Sequence, residues 1–290
     1  MPMPSGIGIV DLMLGIPSGD EKRVYDFMRP LFRDKESLSA FDFPVQYMFK
    51  DFPKVEKQED YITFTVQLMD KFGIEKAQLG VSREGRISQQ ALRAHPDRFF
   101  GSAGCDPNQG MEGVRELVWL HENLGIKSVS AFPCGNFPQI PIGNKEWYPI
   151  FAKCVELDLT FNCCIGVPGP RIPMAAQHVE QLDEICWFFP DLRFVMRHGA
   201  EPWCDLAVKL MLKWPNLYYS TSAFAPKHYP KAIIDYANTR GADKILYAGY
   251  FPAGLTLERI FGDMPHVPFK ENVWPKFLRE NALRVLGEKS

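Results

Sequence analysis

Eight short segments rich in β-branched and aromatic residues, each followed by a helix-length stretch with apolar residues three or four apart, run the length of the chain. The strand segments are 7–13, 76–81, 99–105, 126–132, 159–165, 193–198, 217–222 and 244–250. The helical segments are 58–72, 88–94, 110–124, 145–157, 175–188, 202–213, 230–239 and 256–261, with a terminal helix over 273–286. Hydrophobicity within the strands is continuous rather than alternating, which suits parallel strands buried under helices. The eightfold strand-then-helix order selects a closed α/β architecture, the (β/α)8 TIM barrel, over an open sheet. Gly73 and Gly125 stand where a positive φ would end a helix, and Pro202 and Pro230 suit first-turn positions.

With 290 residues, 46% of them hydrophobic, the chain is long enough to bury one continuous core, and we read 1–290 as a single domain. A formal charge of -2, and no basic run interleaved with aromatics, give no attraction to nucleic acid or anionic lipid. Small molecules are the expected partners. No stretch approaches the roughly 20 apolar residues of a membrane span, and the start lacks a basic region followed by an apolar one, so a cytoplasmic protein is expected. The seven cysteines are scattered through apolar runs without paired spacing and read as reduced, buried thiols. The exception to the repeat is 14–57, a long segment rich in Phe, Tyr, Met and Pro that leaves the C-terminal rim after the first strand. Its parts 24–32 and 41–52 read as a lid or insertion that also offers a contact to a second subunit; plain packing over the rim is the alternative.

Four local patterns carry a resemblance. They are Phe189-Pro-Asp-Leu-Arg-Phe-Val-Met-Arg-His-Gly-Ala-Glu-Pro-Trp203, His95-Pro-Asp-Arg-Phe-Phe-Gly101, Lys244-Ile-Leu-Tyr-Ala-Gly-Tyr-Phe-Pro252 and Glu280-Asn-Ala-Leu-Arg-Val-Leu286. In this order the chain resembles the amidohydrolase-related family, which includes aminocarboxymuconate-semialdehyde decarboxylase, resorcylate-type decarboxylases and lactone hydrolases. The resemblance implies a homodimer. It also implies a divalent ion held by a His-x-His pair on strand one, a His on strand five or six, and an Asp ending strand eight. This sequence departs at nearly every ligand: Met13 and Gly15 stand in place of the pair, Cys164 in place of the strand-five His, and Tyr250 in place of the Asp. His198 alone survives. One imidazole with a thioether, a thiol and a phenol is a poor set for zinc or manganese, so no metal is expected.

In the family register, Asp11 with Met13, Asn162 with Cys164, and Ala248 with Tyr250 would face inward as pairs. His198, Tyr250, Cys164 and Asp11 are the candidate catalytic groups: His198 for protons, Tyr250 as donor to an oxyanion, Cys164 as a thiolate beside the imidazole, and Asp11 to orient His198 or act as a carboxylic acid. Each also has a plain packing or hydrogen-bonding reading. Candidate substrate contacts are Met13, Asn162, Trp203, Ser220, Ser222, Lys227, His228 and Arg171. Arg171 is preferred over Arg197, whose side chain should point away from His198, toward Glu201 or Asp205. Neither a phosphate loop nor a dinucleotide fingerprint follows the first strand, so no cofactor is expected.

These residues lead to a metal-independent hydrolase or carbon-carbon lyase. Lactone hydrolysis, decarboxylation or retro-aldol cleavage would act on a small oxygenated, carboxylated or cyclic substrate. The rival is a non-catalytic ligand-binding or scaffold subunit partnering a metal-bearing homologue. A third reading displaces the metal onto His178, His228 or acids of the long segment.

Overall fold

The computed structural model describes residues 3–17, 25–39, 43–49 and 53–288. Eight parallel strands form one sheet in sequential order: β1 (Ile9–Asp11), β2 (Ile74–Val81), β3 (Phe99–Cys105), β4 (Ser128–Ala131), β5 (Thr160–Cys164), β6 (Phe194–Arg197), β7 (Leu217–Ser220) and β8 (Ile245–Leu246). The expected barrel is therefore present, with strands shorter at several ends than the apolar runs suggest. β8 shows why. Beyond Leu246 the backbone donors leave the ladder: the Tyr247 N–H donates to the Phe277 carbonyl at 2.9 Å and the Gly249 N–H to the Asp11 carboxylate at 2.8 Å. The same carboxylate joins β8 to β1, supplemented by Leu12 N–H donating to the Tyr247 carbonyl.

Helices cover the outer face: α2 (Tyr61–Phe72), α3 (Arg86–Ala94), α4 (Met111–Leu124), α5 (Tyr148–Glu156), α6 (Leu182–Phe188), α7 (Cys204–Lys213), α8 (Lys231–Ala237) and α9 (Leu257–Asp263). Asp60 starts α2 by accepting from Ile62 and Thr63 N–H, and Gly73 and Gly125 end α2 and α4 in the left-handed conformation, at φ 69° and 59°. The terminal helix is realised as a π-helical turn, Lys276–Glu280, running into α10 (Asn281–Val285). Among the described residues no helix is long and apolar enough to cross a membrane.

Two apolar layers result. Ile9, Leu79, Ala103, Cys163, Phe194 and Met196 pack outward under the helices, while Val10, Leu12, Phe100, Val195, Leu246 and Ala248 fill the barrel and meet α10. All seven cysteines are free thiols, five of them buried.

The 14–57 segment has its own structure where described: a 3-10 turn at Asp26–Leu31, helix α1 (Lys35–Ser39) and a second 3-10 turn at Gln46–Met48. Residues 24, 41, 42 and 50–52 of its two expected lid parts lie outside the described residues. The remainder is clamped to the loop after β5. Tyr47 donates to the Gly169 carbonyl at 2.6 Å, and Arg171 pairs with Glu36 at 2.8 Å and Asp34 at 3.2 Å while lying over the Tyr47 ring. Arg171, the cation expected to meet a substrate, has its guanidinium engaged in holding the insertion.

Candidate active site at the barrel mouth

At the C-terminal end of β6 the backbone turns sharply. His198, Gly199 and Ala200 all have positive φ, 63°, 89° and 53°, a conformation that costs a non-glycine residue about 1–2 kcal/mol. The turn lets the chain cross the end of β5, where Ala200 N–H donates to the Ile165 carbonyl and Val167 N–H to the Glu201 carbonyl. A Cβ on Gly166 would lie 2.8 Å from the Glu201 carbonyl oxygen, so only glycine fits this crossing.

The turn also breaks strand alternation, so Arg197 and His198 both face the barrel rather than opposite sides. Arg197 shares the inward face of Val195. Its guanidinium donates to Ser130 Oγ at 3.0 Å and to the Leu12 carbonyl at 3.1 Å. The expected outward pairing with Glu201 or Asp205 is thus overturned. Within the same interior, Gln78 donates to the Leu12 carbonyl, Ser128 donates to Gln78, and Ser102 and Ser130 share a hydrogen bond.

His198 is fixed by Ser222. The hydroxyl accepts the His198 backbone N–H at 3.2 Å and lies 3.1 Å from Nδ1, so the Ser222 contact engages Nδ1 and not Nε2. Burial, reinforced by the Arg197 charge, holds the imidazole pKa down at about 4, so the ring is neutral at pH 7. Tyr250 meets the ring edge-on, centroids 5.6 Å apart. Its phenol is pushed up by burial and stays protonated. The insertion reaches this point too: Phe49 stacks on Tyr250 at 5.8 Å, and Gly254 makes room, since a Cβ there would lie 2.7 Å from both rings.

The other candidates take varied places. Cys164 lies at the mouth, register partner of Arg197, but burial drives its thiol up to about 12, and it carries no thiolate at neutral pH. Asn162 and Ser220 lie deeper, bonded to the Val129 and Met196 carbonyls. Met13 packs on the interior cluster. Trp203 sits apart with its ring against His178 at 3.9 Å, and Lys227 and His228 are exposed on the turn Pro226–His228.

Asp11 takes its plain hydrogen-bonding role rather than the inward placement beside Met13 that the family register implies. It follows the outward parity of Ile9, so its carboxylate accepts from Met13 and Gly249 N–H and turns toward Tyr247 on the helix side of the wall. In that position it holds the β1–β8 seam and does not orient His198. Burial raises its pKa to about 6 against the lowering pull of those N–H groups. Sequence reasoning missed Ser130 and Phe49, and it weighed Arg197 but pointed it the wrong way. The parity of Val195 and Arg197 was visible, but the left-handed turn was not.

Solved structures with this architecture span the whole chain. An uncharacterized TIM-barrel protein from Bordetella bronchiseptica is 22% identical with a TM-score of 0.73, covering 97% of this chain and 99% of its own. The 2,6-dihydroxybenzoate decarboxylase from Rhizobium is 16% identical with a TM-score of 0.67, covering 97% and 99%. A 5-carboxyvanillate decarboxylase from Novosphingobium aromaticivorans, complexed with manganese, is 16% identical with a TM-score of 0.69, covering 97% and 96%. At these identities the likeness is one of fold. No curated protein matches the chain significantly.

The manganese in that relative raises the question of whether this mouth fits a divalent ion. Among the described residues no three His, Cys, Asp or Glu side chains converge as ligands. Cys164 is held protonated, Asp11 faces the other side of the wall, and the Arg197 guanidinium occupies the interior beside His198. This donor set does not suit a hard divalent ion. The sequence profile of the family described as amidohydrolase nevertheless matches residues 72–287, from the end of α2 through α10, and the chain belongs to that family.

Proposed function

We propose that the protein is an enzyme that hydrolyses, or cleaves a carbon-carbon bond in, a small oxygenated organic molecule at the barrel mouth, using its own side chains as proton carriers and hydrogen-bond donors. The observation that carries this reading is the His198 ring, fixed by Ser222 and set against Tyr250 at the end of the barrel where catalytic groups of this fold lie. Tyr250 donates its O–H to an oxygen that gains negative charge, and His198 Nε2 accepts or returns the proton that moves. A lactone or enol-type substrate suits this pair, because its carbonyl is already electrophilic enough for hydrogen bonding to lower the barrier.

The test is a panel of lactones, hydroxybenzoates and 2-oxo acids assayed with wild type, His198→Asn and Tyr250→Phe. Asparagine is chosen because it tolerates positive φ. Turnover by wild type that falls at least about 100-fold in each variant, with the fold retained, is expected. Turnover surviving both changes, or none across the panel, would overturn the reading. The donor set further predicts that activity persists in protein holding less than about a tenth of an equivalent of transition metal.

A further inference from the structure

The rim of the barrel mouth is covered along most of its circumference. Met28 and Phe32 of the insertion pack with Phe132 after β4 and Ile172 after β5, and Phe49 stacks on Tyr250 after β8. A Cβ on Gly169 would lie 2.8 Å from Val45, so the insertion also sits directly on the β5 loop. The loops close more of the rim themselves. The 198–200 turn crosses the end of β5, the Phe224 ring after β7 lies against Gly199, and Gly15 N–H donates to the Phe251 carbonyl, joining the ends of β1 and β8. These contacts run from β4 around to β1.

β2 and β3 differ. By strand parity Gly80 and Gly104 face the interior, since Gln78 and Ser102 hydrogen-bond there while Leu79, Val81 and Ala103 pack outward. Both glycines are exposed, neither has a positive φ, and a Cβ on either would meet nothing within 4 Å. Neither backbone conformation nor a close neighbour calls for glycine at these positions; their missing side chains leave the mouth open. In the ladder Gly104 lies beside the half-buried Ser130, so the opening runs inward to the barrel interior. Because the strands follow one another in order around the barrel, β2 and β3 stand across from β6 and β7, whose ends carry His198 and Ser222.

We propose that molecules enter the mouth over β2 and β3, and that Gly80 and Gly104 are specificity-determining residues, setting by their lack of side chains the width of molecule that crosses to His198. This rests on the reading of the mouth as the substrate site. The substrate class it implies is one with a bulky substituent that stays over the two glycines while the reacting group lies at His198 and Tyr250. Glycine backbone and one hydroxyl bound that space, so it selects by shape.

The test uses diethyl pyrocarbonate, a small reagent that acylates neutral imidazole, read by peptide mass spectrometry. His198, neutral at pH 7, should be modified in wild type, and the double variant Gly80→Leu/Gly104→Leu should slow that reaction at least about tenfold by narrowing the entrance. The exposed His228 should react equally in both proteins and is the internal standard. Unfolding would speed the reaction at His198, so it does not mimic the expected result. A side chain in place of a strand glycine does not weaken the strand, and the melting temperature should be unchanged or raised. For a substrate found in the panel, the double variant should raise KM for bulkier analogues and keep kcat for the smallest within about twofold. An unmodified His198 in wild type, or a rate that the two leucines do not slow, overturns the entrance. Slowing by the leucines with no turnover across the panel refutes only the catalytic reading. Turnover that depends on His198, with modification indifferent to the leucines, refutes only the entrance.

Discussion

The hydroxyl of Ser222 holds His198 twice, accepting its backbone N–H at 3.2 Å and meeting Nδ1 at 3.1 Å. One oxygen after β7 therefore fixes both the left-handed backbone and the ring orientation after β6. Ser222→Ala removes both hydrogen bonds, each worth about 1 kcal/mol, and is expected to lower kcat roughly tenfold with little change in KM. Nitrogen-detected NMR should show the Nδ1 resonance of His198 move. An unmoved resonance would refute the positioning role of Ser222.

His198 and Asp11 oppose one another in the dependence of stability on pH. His198 is lowered from 6.5 to about 4, so the unfolded chain binds more protons in that interval and stability rises with pH. Asp11 is raised from 3.8 to about 6, so the folded chain binds more protons there and stability falls with pH. Each contribution is about 3 kcal/mol across its window, and in the wild type they largely cancel. Urea denaturation between about pH 4 and 7 should therefore show a rising stability in Asp11→Asn and a falling one in His198→Asn. Parallel profiles in the two variants would contradict the assignment.

The clamp made by Arg171, Asp34, Glu36 and Tyr47 predicts a local effect. Arg171→Ala should speed amide hydrogen exchange in 25–39 and 43–49 while leaving the barrel strands unchanged. Added salt should act in the same direction on wild type. The Arg171 guanidinium keeps the Glu36 carboxyl below its ordinary range, and Ser37 N–H does so chiefly for Asp34, so the clamp should loosen only as pH falls into the carboxylate range. Faster exchange in the barrel itself would place Arg171 in a wider structural role.

Gly199 combines φ 89° with a Phe224 ring atom 2.5 Å from where a Cβ would lie. Gly199→Ala is expected to cost about 2–4 kcal/mol, read as a lowered denaturation midpoint. The ring contact between His198 and Tyr250 should be disturbed with it. An unaltered midpoint would show that the turn at 198–200 relaxes without loss.

Cys164, with its thiol raised to about 12, should resist iodoacetamide at neutral pH, and Cys164→Ala should keep turnover within a few-fold. Rapid alkylation at this position would restore the thiolate as a candidate nucleophile.

The sequence by itself determined the barrel. Eight apolar runs, each followed by an amphipathic segment, admit few other ways to bury both faces of a parallel sheet, and Gly73 and Gly125 marked helix ends because only their φ freedom ends a helix that way. It also singled out His198 and Tyr250 as candidates at strand ends, which the sheet's sequential order brings together at one mouth, while Ser222, expected to contact substrate, lies against His198. Tertiary structure alone decided what Asp11, Arg171 and Arg197 meet. Strand parity predicts orientation only while φ stays extended, and it fails at His198, where the chain turns left-handed to cross β5. The partners that settle the other two are remote: Gly249 for Asp11, across the closing seam, and Glu36 for Arg171, across the rim. No local pattern in the chain encodes those contacts, because each depends on where the closed barrel brings distant residues together.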